Sequence, residues 1–387
     1  MKTNIFSLIL FILVILFPAR FVLCRNVSLM DLWQNGTGNY KNYRIPSLLV
    51  TKDGTLLAFC EGREGGDSGD IDLLLKRSAD NGATWSDETV VWDDGRNTCG
   101  NPCPVVDEEN GRIWLFMTWN LGSDVERRII RKESRDTRRP FVCYSDDDGK
   151  SWSKPVDLSK TCKDPSWGWY ATGPGVGIQL KTGKYKGRLV IPANHSYDDP
   201  KGDMAGGPFG YGSHVLFSDD HGKTWKMSEP IRPGCNESQV VELSNGSLLM
   251  NMRSYNDNHC RAIATSEDGG ETWSDIRPDR QLVESRCQAS LINYGVFNNK
   301  NMFLFSNPAV PQGRTHLTIK ASFDDCKTWS NAKLIHAGPS AYSCMAKLPD
   351  GKIGILFEYG TEHRYDMIRF VSFPAEMLFT PGNLLNE

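Results

Sequence analysis

The sequence lacks the features that mark several large classes of protein. It contains no long amphipathic helical pattern, no cysteine and histidine cluster with the spacing of a zinc site, and no motif for a nucleotide, haem or redox cofactor. We therefore expect neither a structural metal nor a cofactor. The charge is nearly balanced, with 44 Lys and Arg against 47 Asp and Glu and a net charge of −3, so nothing points to a nucleic-acid partner.

One basic run departs from this balance, at residues 126–139 (ERRIIRKESRDTRR). The run includes three acids, and its uncharged residues are two isoleucines, a serine and a threonine. We expect a solvated loop here, with a site for a polyanion as the alternative.

The N-terminus is much more apolar than the rest of the chain. Lys2 precedes an apolar run of 13 residues, from Ile5 to Phe17, and a candidate cleavage site ends at Cys24. This order is typical of a secretory signal peptide, and the run is short for a membrane span. We expect residues 1–24 to be a signal peptide and residues 25–387 to be a secreted or extracytoplasmic domain. An uncleaved signal anchor is the alternative.

Cysteine usage fits this location. Of the 11 cysteines, Cys24 would leave with the signal peptide, and an even number would remain. An even count in a secreted chain favours some disulfides, although several of these cysteines could be buried thiols in a domain of this length. The sequence does not indicate the pairing.

Five runs repeat the pattern Ser-x-Asp-x-Gly-x-Thr-Trp. They begin at Ser78, Ser145, Ser218, Ser266 and Ser322. The second run has Ser151 in place of Thr, and the fifth has Cys326 in place of Gly. In each run the aspartate can accept hydrogen bonds from amides of its own turn, the glycine allows a positive φ, and the tryptophan offers an apolar surface for burial. We interpret these runs as structural turns between strands.

The spacing of the runs predicts the architecture. Their first serines lie 67, 73, 48 and 56 residues apart, and short strand-like segments flank each run. Many short strands in repeated units of this size, without helices, are typical of a β-propeller. The length of the mature chain predicts an all-β fold with six blades.

Several motifs that occur once each carry a family resemblance. They are YRIP at 43–46, NESQVVEL from 236, NMRS from 251, SNPA followed by Arg314, and AYS at 341–343. Together with the five aspartate runs, they resemble the exo-α-sialidases (neuraminidases) of the bacterial and animal type, over nearly the whole mature chain. The aspartate runs alone would be weak evidence, because other propellers also contain them.

The resemblance implies a clamp of three arginines for the carboxylate of sialic acid. The matching residues are Arg44, Arg253 and Arg314. A planar guanidinium that is always charged can bind a carboxylate through two parallel hydrogen bonds, which suits an anion fixed on the anomeric carbon. The three residues are far apart in the chain, so only a ring of blades would bring them together.

The resemblance also implies a tyrosine nucleophile, which is the sialidase exception among glycosidases. Tyr342 matches that tyrosine, and Glu237 matches the base that activates it. A neutral hydroxyl avoids the repulsion that an anionic nucleophile would meet beside the substrate carboxylate. Glu242 is the rival to Glu237, and strand alternation places the two on opposite faces.

The acid/base position is less defined. Asp67, Asp70 and Asp72 lie within six residues. Counting back from Lys76 and Arg77, as the family motif implies, selects Asp67, and the glycines around it suit a loop that closes on substrate. Asp72 is expected to face a neighbouring strand, and Asp70 stays open as an alternative.

Further positions follow from the resemblance. Glu358 matches a carboxylate that orients Arg44, and Arg63 matches a residue that reaches the hydroxyls of the sugar ring. Four more residues lie in segments that resemble parts lining the pocket, with loop packing as the alternative: Asn101, Trp119, Asp124 and Tyr170.

These observations predict a retaining exo-α-sialidase that removes terminal sialic acid from glycoproteins, glycolipids or oligosaccharides through a sialyl-tyrosine intermediate. Transfer to another sugar, or attack by a hydroxyl of the same sialic acid, needs the same first step and is one alternative. An inactive propeller that only binds sialic acid is another. We expect no stable membrane span in the mature chain.

Overall fold

A computed structural model of the protein describes residues 27–256 and 258–385. The predicted signal peptide, residues 1–24, lies outside the described residues. The described chain contains 24 strands, two short α-helices and two 3₁₀ turns. None of these helices is long and apolar enough to cross a membrane. The helical segments are α1 (Glu126–Ile130), α2 (Ser159–Cys162), and the 3₁₀ turns Met204–Gly206 and Ala375–Phe379.

After a first strand, β1 (Ser28–Gln34), the chain forms repeated antiparallel units. Unit 1 contains β2 (Asn42–Val50), β3 (Leu56–Arg63), β4 (Ile71–Ser78) and β5 (Thr89–Trp92). Unit 2 contains β6 (Thr98–Val106), β7 (Ile113–Asn120), β8 (Arg139–Ser145) and β9 (Val156–Asp157). Unit 3 contains β10 (Tyr170–Thr172), β11 (Ile178–Gln179), β12 (Leu189–Asp198), β13 (Phe209–Ser218) and β14 (Lys226–Met227).

The second half of the chain repeats this arrangement. Unit 4 contains β15 (Cys235–Glu242), β16 (Leu248–Ser254), β17 (Cys260–Ser266) and β18 (Arg277–Val283). Unit 5 contains β19 (Ser290–Phe297), β20 (Lys300–Pro308), β21 (Thr315–Ser322) and the first part of β22 (Asn331–Lys347). Unit 6 contains the second part of β22, then β23 (Ile353–Tyr359) and β24 (Met367–Phe373).

The N-terminal strand completes the sixth unit. Strand β1 pairs antiparallel with β24, with Asp31 opposite Arg369, and these two side chains form an ion pair of 2.7 Å. The first and last strands of the described chain are therefore held in one sheet. The protein is an all-β, six-bladed β-propeller, as the repeats predict.

The apolar core lies between successive units. One cluster joins Val105 and Phe116 of unit 2 to Ile191 and Leu216 of unit 3, and all four are buried. Another joins Leu56 of unit 1 to residues of unit 6 in the same way. Because both faces of most strands are covered, the strands contain long runs of buried residues rather than a strict alternation.

The aspartate runs form turns between the last two strands of units 1 to 5. In the first, Asp80 accepts hydrogen bonds from the amide and the hydroxyl of Thr84 over 2.9 and 2.6 Å, and the Ser78 hydroxyl accepts one from the amide of Gly82 over 2.9 Å. The pattern recurs in the other four runs. The prediction of structural turns is confirmed.

The runs also join neighbouring units. Trp85 contacts Phe370 of unit 6 edge to face, with ring centres 5.1 Å apart, and Trp152 contacts Phe59 of unit 1 at 5.8 Å. The fifth run keeps its turn with Cys326 at φ 61, a left-handed conformation that disfavours residues other than glycine. The turn therefore tolerates a strained backbone without a disulfide.

The expectation of disulfides is wrong for the described residues. All ten of their cysteines are free thiols and all are buried. Cys60 and Cys344, for example, belong to the apolar cluster between units 6 and 1. Burial raises the pKa of Cys60 well above its usual value, so the thiol stays neutral. These cysteines act as small apolar side chains in the core.

Candidate active site

A cavity of about 220 Å³ lies at one end of the first strands of the units. Arg44 of β2, Glu237 of β15 and Tyr342 of β22 line it. A second cavity, of about 640 Å³, lies at the opposite ends of the same strands. None of the aspartate runs contributes a lining residue to the first cavity.

Irregular backbone in four first strands places the site residues. The strand register shifts between Arg44 and Ser47, Gly100 and Cys103, Cys235 and Ser238, and Ser340 and Ser343. A β-bulge bends a strand and changes the direction of its side chains. Arg44, Asn101, Glu237 and Tyr342 lie at these four shifts and line the cavity. The bulges thus direct residues from four units towards one point.

The centre of the site is a hydrogen bond between Tyr342 and Glu237. The Tyr342 hydroxyl donates to Glu237 Oε1 over 2.5 Å, and Arg253 Nη1 donates to Glu237 Oε2 over 2.7 Å. Arg253 Nη1 also lies 3.4 Å from the Tyr342 oxygen. Burial and the Glu237 carboxylate raise the pKa of Tyr342 well above its usual value, against three arginines that lower it. The phenol is therefore neutral and its proton points at a base.

Glu358 holds Arg44 in place beside this pair. The Glu358 carboxylate accepts from Arg44 Nε over 2.8 Å and from Nη2 over 3.3 Å. It also accepts from the backbone amides of Ile45 and Tyr342, over 2.8 and 3.1 Å. Glu358 is fully buried. One carboxylate thus fixes both the first arginine and the backbone of the tyrosine.

Arg314 is the third arginine around Tyr342. Its Cζ lies 5.6 Å from the centre of the Tyr342 ring, and that of Arg44 lies 5.1 Å from it. Tyr365, a residue that the sequence did not single out, connects the two arginines: its hydroxyl accepts from Arg314 Nη1 over 2.8 Å, and its ring lies 3.7 Å from Arg44 Cζ. The three predicted arginines therefore meet around the tyrosine.

Asp67 lies at the mouth of the cavity. Its side chain is 75% exposed, and its Oδ1 is 2.6 Å from Arg63 Nη1 and 3.5 Å from Arg44 Nη1. Partial burial acts to raise the pKa of Asp67, but the two arginines outweigh it and hold the pKa below its usual range. Arg63 in turn donates to the buried Glu61 over 2.8 Å. Asp67 is thus anionic in the free protein.

The rival carboxylates lie elsewhere. Burial raises the pKa of Asp72 to about 6, and burial and Asp93 raise that of Asp70, but neither residue lines the cavity. Asp72 accepts from Tyr40 over 2.6 Å. Glu242 lines the second cavity, where it accepts from two backbone amides. Because a catalytic acid must reach the substrate, geometry favours Asp67 over the carboxyls with higher pKa values.

Of the four secondary positions, Asn101 alone lines the cavity. Asp124 is buried and accepts from two amides of the 135–136 segment. Trp119 donates to Asp94 over 2.6 Å, and Tyr170 is buried beneath the site against Trp167. The structure therefore places Trp119, Asp124 and Tyr170 outside the cavity lining, in packing and turn positions.

The basic run contributes two residues that the sequence analysis assigned to a solvated loop. Arg138 is buried and Glu126 is half-buried, and both line the cavity. For these two residues the expectation of a solvated loop is wrong, because the segment folds back between β7 and β8. Arg127 and Arg128 are exposed as expected, but they lie in helix α1 rather than in a loop. A basic run broken by acids gives no sign of which side chains turn inwards.

Trp169, Tyr255 and Asn194 also line the cavity without a sequence signal that would have found them. Across the described residues, no group of three or more histidine, cysteine, aspartate or glutamate side chains is arranged to hold a metal ion.

Comparison with known proteins identifies the family. The model of the BNR repeat-like domain matches residues 54–355. An exo-α-sialidase of Aspergillus fumigatus is 34% identical over 363 residues, which cover 86% of this chain and 82% of that protein. A sialidase of Micromonospora viridifaciens is 35% identical over 350 residues, which cover 87% of this chain.

The solved structure of a Hadza microbial sialidase agrees, with a TM-score of 0.77 and 33% identity over 87% of this chain and 66% of that one. The chain spans about half, 52%, of the length of the Micromonospora protein. The region matched by the family model, residues 54–355, includes Asp67, Glu237 and Tyr342. The chain therefore belongs to the exo-α-sialidase family.

Proposed function

We propose that the protein is a retaining exo-α-sialidase that hydrolyses terminal sialic acid from glycoconjugates. The observation that carries the proposal is the 2.5 Å hydrogen bond from Tyr342 to Glu237 in a cavity with three arginines. A protein that only bound sialic acid would need the arginines but not a buried tyrosine paired with a base. The substrates are sialylated glycoproteins, glycolipids or oligosaccharides.

The three arginines bind the carboxylate of the substrate. Arg44 donates to Glu358 through Nε and Nη2, and its Nη1 is therefore left to donate to the ligand. Arg253 and Arg314 lie on the other sides of Tyr342. With the carboxylate held there, the anomeric carbon to which it is bonded lies above the tyrosine oxygen. Charged hydrogen bonds of this kind fix orientation as well as supply affinity.

The first chemical step forms a bond between the Tyr342 oxygen and the anomeric carbon. Glu237 takes the phenolic proton, the bond from the anomeric carbon to the aglycone oxygen breaks, and Asp67 gives that oxygen a proton. In the second step water attacks the anomeric carbon. Asp67 takes a proton from the water, the bond to Tyr342 breaks, and Glu237 returns the proton to the phenolate. Two displacements retain the anomeric configuration.

Asp67 must be protonated for the first step, although the arginines favour its anion in the free protein. A bound substrate carboxylate brings a negative charge to Arg44 and so weakens the attraction between Arg44 and Asp67. A neighbouring like charge raises the pKa of a carboxyl group. The substrate thus promotes protonation of its own catalytic acid.

Replacing Asp67 by Ala should lower kcat/KM by about a hundredfold for natural glycosides, because a poor leaving group needs a proton from an acid. An aryl sialoside, whose leaving group needs little protonation, should lose much less. The measurement compares both substrates for the Asp67→Ala and Asp70→Ala variants. The reverse order of effects would assign the acid/base role to Asp70.

Mass analysis of a sialyllactose digest tests the proposed function. Free sialic acid as the main product supports hydrolysis. Sialic acid on added ¹³C-labelled lactose would indicate transfer, and a product lighter than free sialic acid by one water would indicate internal attack. Binding of sialyllactose without any turnover would contradict an enzymatic function.

We further propose that the mature protein acts outside the cytoplasm. The signal-peptide pattern of residues 1–24 supports this location. Sequencing the N-terminus of the secreted protein tests it, and a start after Cys24 is expected.

A further inference from the structure

A buried ion pair lies outside the cavity, close to the arginine clamp. It joins Arg261 of β17 to Glu284, the residue after β18. Both side chains are almost completely buried, and Arg261 Nη1 donates to Glu284 Oε2 over 2.6 Å. Neither residue lines the cavity. A buried ion pair adds little net stability over an apolar pair of the same volume, because both charges lose their water. What the pair contributes therefore depends on its contacts with the surrounding backbone.

Glu284 holds the backbone beside Arg253. Its Oε1 accepts from the amide of Ser254 over 2.7 Å, and Ser254 follows Arg253 in β16. Glu358 accepts in the same way from the amide that follows Arg44. A buried carboxylate thus fixes the backbone next to two of the three clamp arginines.

Arg261 also holds segment 284–288, which connects unit 4 to unit 5. Besides Glu284, its Nη1 donates to the carbonyl of Cys287 over 2.8 Å. Between these two contacts, Arg286 has a φ of 52, a left-handed conformation that disfavours residues other than glycine. Such a conformation persists only where the surroundings hold it. Arg261 supplies a contact on each side of it.

The same segment reaches two further residues of the site. The carbonyl of Arg286 accepts from Arg314 Nη2 over 2.9 Å. Gln288 pairs with the backbone of Ser343, which follows Tyr342 in β22. The Ser343 amide donates to Gln288 Oε1, and Gln288 Nε2 donates to the Ser343 carbonyl, both over 3.0 Å. One short connection therefore holds the third arginine of the clamp and the backbone beside the tyrosine.

We propose that Arg261 is a positioning residue for the arginine clamp. The inference rests on the proposed function. Arg261 anchors segment 284–288 at two points, and the segment fixes Arg253 and Arg314. These are two of the three arginines that bind the carboxylate of the substrate. Arg261 itself stays away from the substrate, because it does not line the cavity.

The test measures how strongly binding depends on the carboxylate. The ligands are the 2,3-unsaturated derivative of sialic acid and its C1 carboxamide, which lacks the charge that the clamp binds. Titration calorimetry gives the Kd of each. For the unchanged protein, the carboxylate should bind about a hundredfold more tightly, the scale of hydrogen bonds between charged groups. A variant that is merely less stable keeps this ratio, because both ligands bind the same folded state.

Two changes at Arg261 should lower the ratio. The double variant Arg261→Met, Glu284→Met replaces the ion pair by apolar side chains of similar volume, which is often neutral for stability. The Ser254 amide and the Cys287 carbonyl lose their partners, so the ratio should fall by about tenfold. Arg261→Lys is milder, because it keeps the charge but lacks the planar fork, and the ratio should fall by about threefold.

Arg188→Lys is the matched control. Arg188 is also buried, pairs with Asp219 and Glu271, and donates to the carbonyl of Gly269 over 3.1 Å. Neither Arg188 nor these three partners line the cavity. The control variant should therefore keep the ratio of the unchanged protein. Thermal unfolding of each variant shows whether it folds.

The outcomes separate this inference from the proposed function. If the double variant folds, a fall in its ratio supports the inference, and the ratio of the unchanged protein overturns it. If the double variant does not fold, Arg261→Lys decides by the same criterion. An equal fall in Arg188→Lys also overturns the inference, because the effect would then not be specific to Arg261. If the unchanged protein does not prefer the carboxylate, the clamp of the proposed function fails instead.

Discussion

Replacing Tyr342 by Phe should lower kcat/KM for an aryl sialoside by about a thousandfold or more, because the variant keeps the ring but removes the oxygen that we propose as the nucleophile. An aryl sialoside is used because departure of its leaving group depends little on acid catalysis. A loss of rate with this substrate therefore reports on the attack at the anomeric carbon. The cavity should stay intact, because Glu358 holds the backbone of Tyr342 through its amide rather than through the side chain. Steady-state kinetics, with thermal unfolding as a check on folding, measures the effect.

Tyr365→Phe is the matched control. The same hydroxyl is removed from a tyrosine of the same cavity, but what is lost is a hydrogen bond to Arg314 rather than a nucleophile. Weaker carboxylate binding should raise KM, with a loss of about tenfold in kcat/KM. Equal losses in the two variants would contradict the special role of Tyr342.

Replacing Glu358 by Ala should lower the free energy of unfolding by about 3–5 kcal/mol, the usual cost of removing one partner from a buried ion pair. Arg44 would lose its buried anionic partner and keep only the exposed Asp67 at 3.5 Å, and the amides of Ile45 and Tyr342 would lose their acceptor. Activity should fall as well, because the clamp and the tyrosine backbone share this carboxylate. Urea unfolding measures the stability.

Two variants calibrate this result. Glu358→Gln keeps an acceptor oxygen and should lose less stability than Glu358→Ala. The exposed Glu362 lies four residues further on, and Glu362→Ala should change stability by less than about 0.5 kcal/mol. A Glu358→Ala variant as stable as Glu362→Ala would show that Arg44 does not depend on this partner.

The fold was predictable because its signal is local and repeated. Each aspartate run contains its own turn, as the bonds from Thr84 and Gly82 in the first run show. A turn of this kind needs no information from the rest of the chain, and the spacing of the five copies together with the length of the mature chain predicts six units. The sixth unit has no such run, and it is completed by β1 from the other end of the sequence.

The residues around Tyr342 were predictable from motifs, but their geometry was not. The register shifts that direct Arg44, Glu237 and Tyr342 into the cavity depend on pairing with neighbouring strands, which residue type alone does not specify. Tyr365 connects two arginines across a loop between strands, so its role appears only when the units are assembled.

The burial of Arg138 and the state of the cysteines also could not be predicted from the sequence. The sequence shows that residues 126–139 are basic, but burial of one guanidinium depends on how the segment packs onto β7 and Trp169. The even number of cysteines favoured disulfides, whereas the structure buries the described ones as free thiols. Composition indicates which chemistry is available, and packing decides which of it is used.

A covalent trap of the intermediate tests the central claim most directly. A sialyl fluoride with a second fluorine on C3 should react once and accumulate, because the second fluorine slows the attack by water. The account predicts one added fluorosialyl group on the tryptic peptide 334–347, which contains Tyr342 and no other tyrosine. Tyr342→Phe should stay unlabelled. Label on another peptide, or none in a protein that hydrolyses sialosides, would contradict the account.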